Sequence, residues 1–478
     1  MPLKFVFGPS GSGKSTYLYQ HVIDESEKYP LKNFIVLVPE QFTMQTQKDL
    51  VSMHPRHGIM NIDVLSFARL AYRVFEETGT KQMQVLDDEG KNLILRKIAG
   101  DYENKLTVLK GNIKKLGYIS EVKSVISEFT QYDIGEEEMD EMLDHLDEDS
   151  RLYYKLKDIR LLYEGFQDYL RERYITKEEL LDVLNSQVKE SELLKNSVVV
   201  LDGFTGFTPV QNRLILELMR CCKEVWVTVT MDERENPYAY KHPYQLFGLS
   251  KQMVTTLVRM AGEDHIEVEE PVCLYGYPVK RFEKNRELAF LERNIFRYGS
   301  GRYDKAVENL EIHAAGNPRQ EADAVAEGIR RLVRKDQYRY RDIGVIVSDM
   351  NVYGDYLEQA FENYGIPVFM DHKRSILLNS FVEYIRSLLN MAEKNFSYES
   401  VFRFLRTNLA GFACEEVDEL ENYVLGLGIR GYKGWQNRWI RRLKGMEEEE
   451  LDRLNHYRVQ LVEKVDNLMF VLKQKRKT

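Results

Sequence analysis

The run Gly8-Pro9-Ser10-Gly11-Ser12-Gly13-Lys14-Ser15 carries glycines, a lysine and a hydroxyl at the G-x-x-x-x-G-K-[ST] spacing of a phosphate-binding loop. The spacing matters because glycine lets backbone N–H groups approach a phosphate at the N-terminus of a helix. The lysine then reaches the terminal phosphates, and the serine hydroxyl helps to hold Mg²⁺. Gly8 to Ser15 therefore reads as the lining of an ATP site, with Lys14 as its cation and Ser15 as a metal ligand. Pro9 fits, because its missing N–H need not contact phosphate.

A P-loop hydrolase also needs a carboxylate at the end of a neighbouring strand to position the metal. Asp202, which closes "VVVLD", is the candidate, so the metal set read here is Ser15 and Asp202. A buried structural aspartate is the competing reading. The next residue is Gly203, where a helicase-type motor carries a glutamate as base, and glycine cannot do that work. Nucleotide binding without efficient hydrolysis is the expectation, and no catalytic residue is assigned.

The elements that must position these groups follow from the apolar pattern. Leu3 to Phe7 is a β-rich run entering the loop, and a helical stretch around Tyr17 to Ile23 leaves it. Phe34 to Val38 reads as a strand buried on both faces and stopped by Pro39; Ile59 to Leu65, Val198 to Leu201 and Val225 to Met231 continue the series. Such strands separated by helical patterns describe an α/β fold with a doubly wound parallel sheet, over residues 1–86 and 197–280. Residues 87–196 space their apolar positions three and four apart and are expected to form an inserted helical subdomain. Its acidic stretch, Gly135 to Ser150, reads as a solvated helix face. A second α/β unit is expected over 305–374 in βαβαβ order, with "LEIHAA", "IGVIVS" and "GIPVF" as its strands. Residues 375–478 read as helices only, and that abrupt stop suggests an incomplete architecture.

Composition bounds the function classes. A chain of 478 residues with 43% apolar and 30% charged residues is expected to be soluble and to divide into about two to four domains. It has no apolar stretch near the ~20 residues that a bilayer needs and nothing like a signal peptide, so a cytoplasmic location without a membrane partner is expected. A net charge of −9 argues against non-specific coating of nucleic acid, although a local basic groove remains open. The four cysteines, Cys221, Cys222, Cys273 and Cys414, have neither C-x-x-C nor zinc spacing.

Taken together, "FGPSGSGKS", "VPEQFTMQTQKDL", "IDVLSFARLAYRV", "VVVLDGFTGFTPVQ" and "YRYRDIGVIVS", with "LEQAFENYGIPVFMD", resemble the N-terminal half of AddB-type subunits of the AddAB helicase–nuclease. The similarity covers nearly the whole chain. It implies a superfamily 1 helicase fold that has lost its motor function: the sheet domain as 1A, the insertion as 1B, the second unit as 2A and the terminal helices as 2B. It implies an AddA-type helicase partner in a heterodimer that enters at duplex DNA ends during double-strand break repair and recombination. This subunit would then scan the 3′ single strand for the sequence called Chi.

The resemblance carries the Chi-reading role to Gln41 and Thr43 in "VPEQFT", to Phe67, Arg69 and Tyr72 in "SFARLAYR", and to Phe204 in "LDGF". Amides and hydroxyls that hydrogen-bond base edges, aromatics that stack, and an arginine suit that role. Tyr72 departs from the tryptophan of some relatives. Arg319, in "GNPRQE", falls where superfamily 1 motors place an arginine on the terminal phosphate. The stretch Gly428 to Gly445 interleaves basic and aromatic residues and reads equally as a surface for nucleic acid or a partner chain, or as an amphipathic helix. The nuclease domain of the family, with its iron–sulfur cluster, belongs to a C-terminal half not present in this sequence, so the chain reads as an N-terminal fragment or a truncated product. An active DNA-dependent ATPase motor and a purely structural scaffold are the alternatives.

Overall fold

A computed structural model describes residues 2–79, 84–113, 115–171, 174–297, 299, 301–371 and 376–475. The chain divides into two units, 1–311 and 312–478. Among the described residues of the first, eight strands run in chain order: β1 (Leu3–Gly8), β2 (Asn33–Leu37), β3 (Ile62–Leu65), β4 (Gln84–Leu86), β5 (Tyr174–Thr176), β6 (Ser197–Leu201), β7 (Glu224–Thr230) and β8 (Val272–Cys273). Six of them form one sheet in the order β3-β2-β6-β7-β1-β8, and every pairing in it is parallel.

Alternation along each strand explains the apolar runs. Phe5, Phe7, Ile35, Leu37, Val199, Leu201 and Val227 enter a core on one face of the sheet, while Val6, Phe34, Val36, Val198, Val200 and Trp226 enter a core on the other. A strand covered on both sides has no polar positions to spare. Helices α1 (Lys14–Lys28) and α2 (Thr43–Met53) cover the second face with Leu18, Val22, Ile23 and Leu50. Helix α3 (Phe67–Thr78) covers the first with Phe67, Leu70, Ala71, Val74 and Phe75.

The insertion contains helices Asp88–Asp101, Leu116–Gln131, Glu136–Asp144 and Arg151–Leu170 around a core that includes Leu95, Ile98, Leu162 and Phe166. The parallel pair β4 and β5 joins the chain entering these four helices to the chain leaving them. The insertion's last segment differs in allegiance: Leu180, Leu184, Val188 and Leu194 pack into the sheet core instead. In the acidic stretch only Met139 is fully buried, so the charges line a solvated face.

In the second unit, helices Pro318–Lys335 and Met350–Asn363 pack through Ala322, Ala326, Ile329, Leu357, Ala360 and Phe361. The strands expected before, between and after them are a correction: among the described residues "LEIHAA", "IGVIVS" and "GIPVF" carry no β ladder. Ile312, Ile346 and Phe369 are 92, 100 and 90% exposed. Parallel strands need a paired neighbour and cover on both faces, and these segments have neither. The remaining helices, Ser380–Glu393, Tyr398–Leu405, Cys414–Leu427, Gly431–Gln436 and Glu448–Lys475, enclose a separate core. Tyr432, Trp435 and Trp439 of the basic–aromatic stretch are buried in it, and Arg458 donates to the Trp435 carbonyl at 2.7 Å. Tyr432, Trp435 and Trp439 there are packing residues, while the basic side chains Arg430, Lys433, Arg438, Arg441, Arg442 and Lys444 reach solvent. Among the described residues, no helix is long and apolar enough to cross a membrane.

Candidate functional site

β1 ends at Gly8 and α1 starts at Lys14, so the glycine loop joins strand to helix at the C-terminal edge of the sheet. Gly11 and Gly13 take φ values of 82° and 95°, a region that L side chains rarely adopt. Gly11 is also confined: a Cβ there would lie 2.7 Å from Arg281 Cβ. Ser12 Oγ is buried within the loop without a hydrogen-bond partner. Such an orphan suits a site that a phosphate oxygen completes.

Lys14 turns its ammonium back onto the loop and donates to the carbonyls of Gly8 and Pro9 at 2.8 and 3.0 Å. Burial pulls its pKa down to about 8; the charge of Asp202 opposes the shift and that of Arg281 adds to it.

Asp202 follows β6, which is next but one to β1, with β7 between them. It is buried, and its carboxylate is fixed by two hydroxyls. Thr228 Oγ1 donates to Oδ1 at 2.6 Å, and the Tyr19 phenol of α1 donates to Oδ2 at 2.7 Å. Burial, then the neighbouring Asp202 charge, pushes the Tyr19 phenol well above its ordinary pKa, so it remains a donor. The backbone N–H of Asp202 donates to the Leu37 carbonyl at 3.0 Å.

Lys14, Ser15, Asp202 and Phe204 line one cavity of about 500 Å³. Ser15 and Asp202 thus both face that cavity. Among the described residues no cluster of three or more His, Cys, Asp or Glu side chains that could hold a metal ion exists.

Among the lining residues that escape sequence reasoning are two cations. Lys280 and Arg281 arrive from a short helical turn far along the chain, and the Arg281 N–H donates to the Gly11 carbonyl at 3.0 Å. The Lys280 stem lies 3.4 Å from where a Gly13 Cβ would stand. Their only signal is the adjacency of two cations in "VKRF"; no spacing relates them to the loop. Arg319 belongs to the second unit, where it is exposed on the first turn of helix Pro318–Lys335.

The other candidates emerge side by side. Gln41 and Thr43 follow β2, Phe67 to Tyr72 follow β3, and Phe204 follows β6, three consecutive strands of the sheet. Gln41 is exposed on a 3₁₀ turn, whereas Thr43 is buried with its hydroxyl donating to the Glu40 carbonyl at 3.0 Å. Ser66 caps α3 by accepting from Arg69 N, and Arg69 and Tyr72, three apart on the helix, both reach solvent. Phe67 is buried and packs on Phe204 and Phe207 at ring-centroid distances of 5.4 and 6.3 Å.

The span from the glycine loop to Lys280 and Arg281 falls within one family model, and relatives match almost the whole chain. Residues 5–292 match the family described as ADDB, N-terminal. The chain belongs to the ADDB N-terminal family. Curated proteins named as the B subunits of ATP-dependent helicase/deoxyribonucleases are similar to it. The one from Lachnoclostridium phytofermentans is 43% identical over 465 residues, 96% of this chain and 40% of that protein. The one from Caldanaerobacter subterraneus is 36% identical over 464 residues, 95% of this chain and 39% of its own length. The one from Clostridium novyi is 33% identical over 477 residues, 100% of this chain and 41% of its own. The chain thus spans about two fifths of the length of the ADDB relatives it matches.

Proposed function

We propose that this chain is the nucleotide-binding, non-motor part of a helicase–nuclease subunit of the AddB type. It acts in the cytoplasm beside an AddA-type helicase in double-strand break repair and recombination. ATP with Mg²⁺ occupies the loop cavity, held by Gly8 to Lys14, Lys280 and Arg281, with Ser15 and Asp202 toward the metal. Gly203 in place of a basic carboxylate leaves the attacking water without activation, so the nucleotide is held rather than consumed.

The same subunit reads Chi in the 3′ single strand. Gln41, Arg69, Tyr72 and Phe204 contact the strand, while Thr43 and Phe67 hold the turns that carry them. The observation that supports this reading is the segment Asp202-Gly203-Phe204: its carboxylate faces Lys14 in the cavity, and two residues on its ring packs on Phe67 at the start of α3. Nucleotide in the loop and the strand-reading surface therefore press on one short backbone segment.

The test uses the assembled two-subunit enzyme with Chi-containing duplex. Arg69→Ala and Phe204→Ala are expected to lose the response to Chi while unwinding continues. Loss of unwinding instead, or DNA-stimulated ATP hydrolysis by this subunit that Lys14→Ala abolishes, overturns the reading in favour of a motor.

A further inference from the structure

Beside the candidate reading surface lies a second cavity, of about 330 Å³, between the start of helix Pro209–Cys221 and the helix Gly248–Glu263, with Tyr132 of the insertion at its rim. We infer that this cavity receives one unstacked base of the single strand, next to those met by Phe204 and Arg69; the inference rests on the single-strand reading proposed above.

The lining chooses a base over a phosphate. None of its side chains is charged, so it offers a phosphate no counter-ion. It offers amides, hydroxyls and rings, which is how unstacked bases are recognised. Asn212 Oδ1 is buried in the wall without a hydrogen-bond partner, an acceptor that a base amino group would satisfy. Gln211 uses its Oε1 to accept from Thr208 N at 3.0 Å, and its NH₂ remains as a donor for a base carbonyl. Gln252 adds an exposed amide on the opposite helix.

Stacking surfaces are present as well. Phe207 lines the cavity and its ring lies 5.2 Å from that of Phe204, so the cavity continues the Phe67–Phe204 cluster by one ring. Tyr132 is 59% exposed at the end of its helix, free to close over a base. The volume is at the small end of the ~300–1,000 Å³ typical of ligand pockets, enough for one base and its sugar.

The test is a double cycle between protein and DNA. Single-stranded oligonucleotides with one abasic position walked along their length are titrated against the full chain and against Gln252→Ala and Tyr132→Ala, two exposed residues whose loss leaves the cores intact. Each variant is expected to bind intact strand about 10-fold more weakly. Removing the base at one position should weaken the parent chain by the same factor and the variants no further. Additive losses at every position overturn the base pocket and leave single-strand reading standing. An absence of affinity for any single strand overturns the reading itself, and the pocket with it.

Discussion

The Tyr19 phenol lies 2.7 Å from Asp202 Oδ2, so the first helix after the glycine loop holds the carboxylate that ends β6. Thr228 holds the other oxygen. A buried hydrogen bond to a charged group contributes about 1.5–3 kcal/mol, and removing the donor leaves the charge to bear its own desolvation. Tyr19→Phe is expected to lower stability by about 2 kcal/mol in urea denaturation. Adding Asp202→Asn to it should cost less than the sum of the two single changes, because the pair is coupled. Strict additivity would show that the contact is not energetically real.

Lys14 sets a pH dependence. Its pKa is about 8 in the free protein because burial penalises the ammonium, and a bound phosphate favours that ammonium and so raises the pKa. Below pH about 8 the free site is already charged and affinity is full, whereas above it each binding event must first take up a proton. Nucleotide affinity is expected to fall by up to about 10-fold per pH unit above 8. Calorimetric titrations at pH 7, 8 and 9 measure this, and Lys14→Arg, whose guanidinium stays protonated, should flatten the profile.

Gly11 and Gly13 separate strain from crowding. Both take left-handed φ, which costs a side chain about 1–2 kcal/mol. Only at Gly11 does an added Cβ also meet the Arg281 stem at 2.7 Å, against 3.4 Å to Lys280 at Gly13. Gly11→Ala is therefore expected to lower the urea midpoint more than Gly13→Ala and to displace the turn that carries Lys280 and Arg281. Nucleotide binding followed by fluorescence should be lost in Gly11→Ala and weakened in Gly13→Ala.

How much of this was legible depends on whether the cause is local. The central strands read correctly because burial on both faces turns "FIVL" and "VVVL" into unbroken apolar runs. β8 is two residues long and leaves no pattern. "IGVIVS" has the β-branched composition of a strand, yet composition cannot supply the neighbour that a ladder requires, and Ile346 stands fully exposed. Trp435 and Trp439 look like a binding surface among arginines because sequence does not show which side of the turn is buried. In the site, the loop is legible since one segment makes it. The Tyr19 and Thr228 clamp on Asp202 and the approach of Arg281 are not, since each joins residues that only the sheet order brings together.

Helix α3 offers the sharpest distinction between reading a base and holding a phosphate. Arg69 and Tyr72 share its solvent-facing side, while Phe67, in the same motif, is buried against Phe204. If Arg69 meets the backbone of a single strand, Arg69→Ala should lower the slope of log affinity against log salt by about 0.7, the value for one phosphate contact on single-stranded DNA. Tyr72→Ala should leave that slope unchanged and weaken binding by a constant factor at every salt concentration, because stacking releases no counterion. Phe67→Ala should behave differently from both: truncating a buried aromatic costs about 3–5 kcal/mol, so its effect should appear first in the urea midpoint. Salt titrations of single-strand binding, run beside urea denaturation of the same three variants, separate these outcomes. An unchanged slope in Arg69→Ala would assign that arginine to a base edge rather than to phosphate.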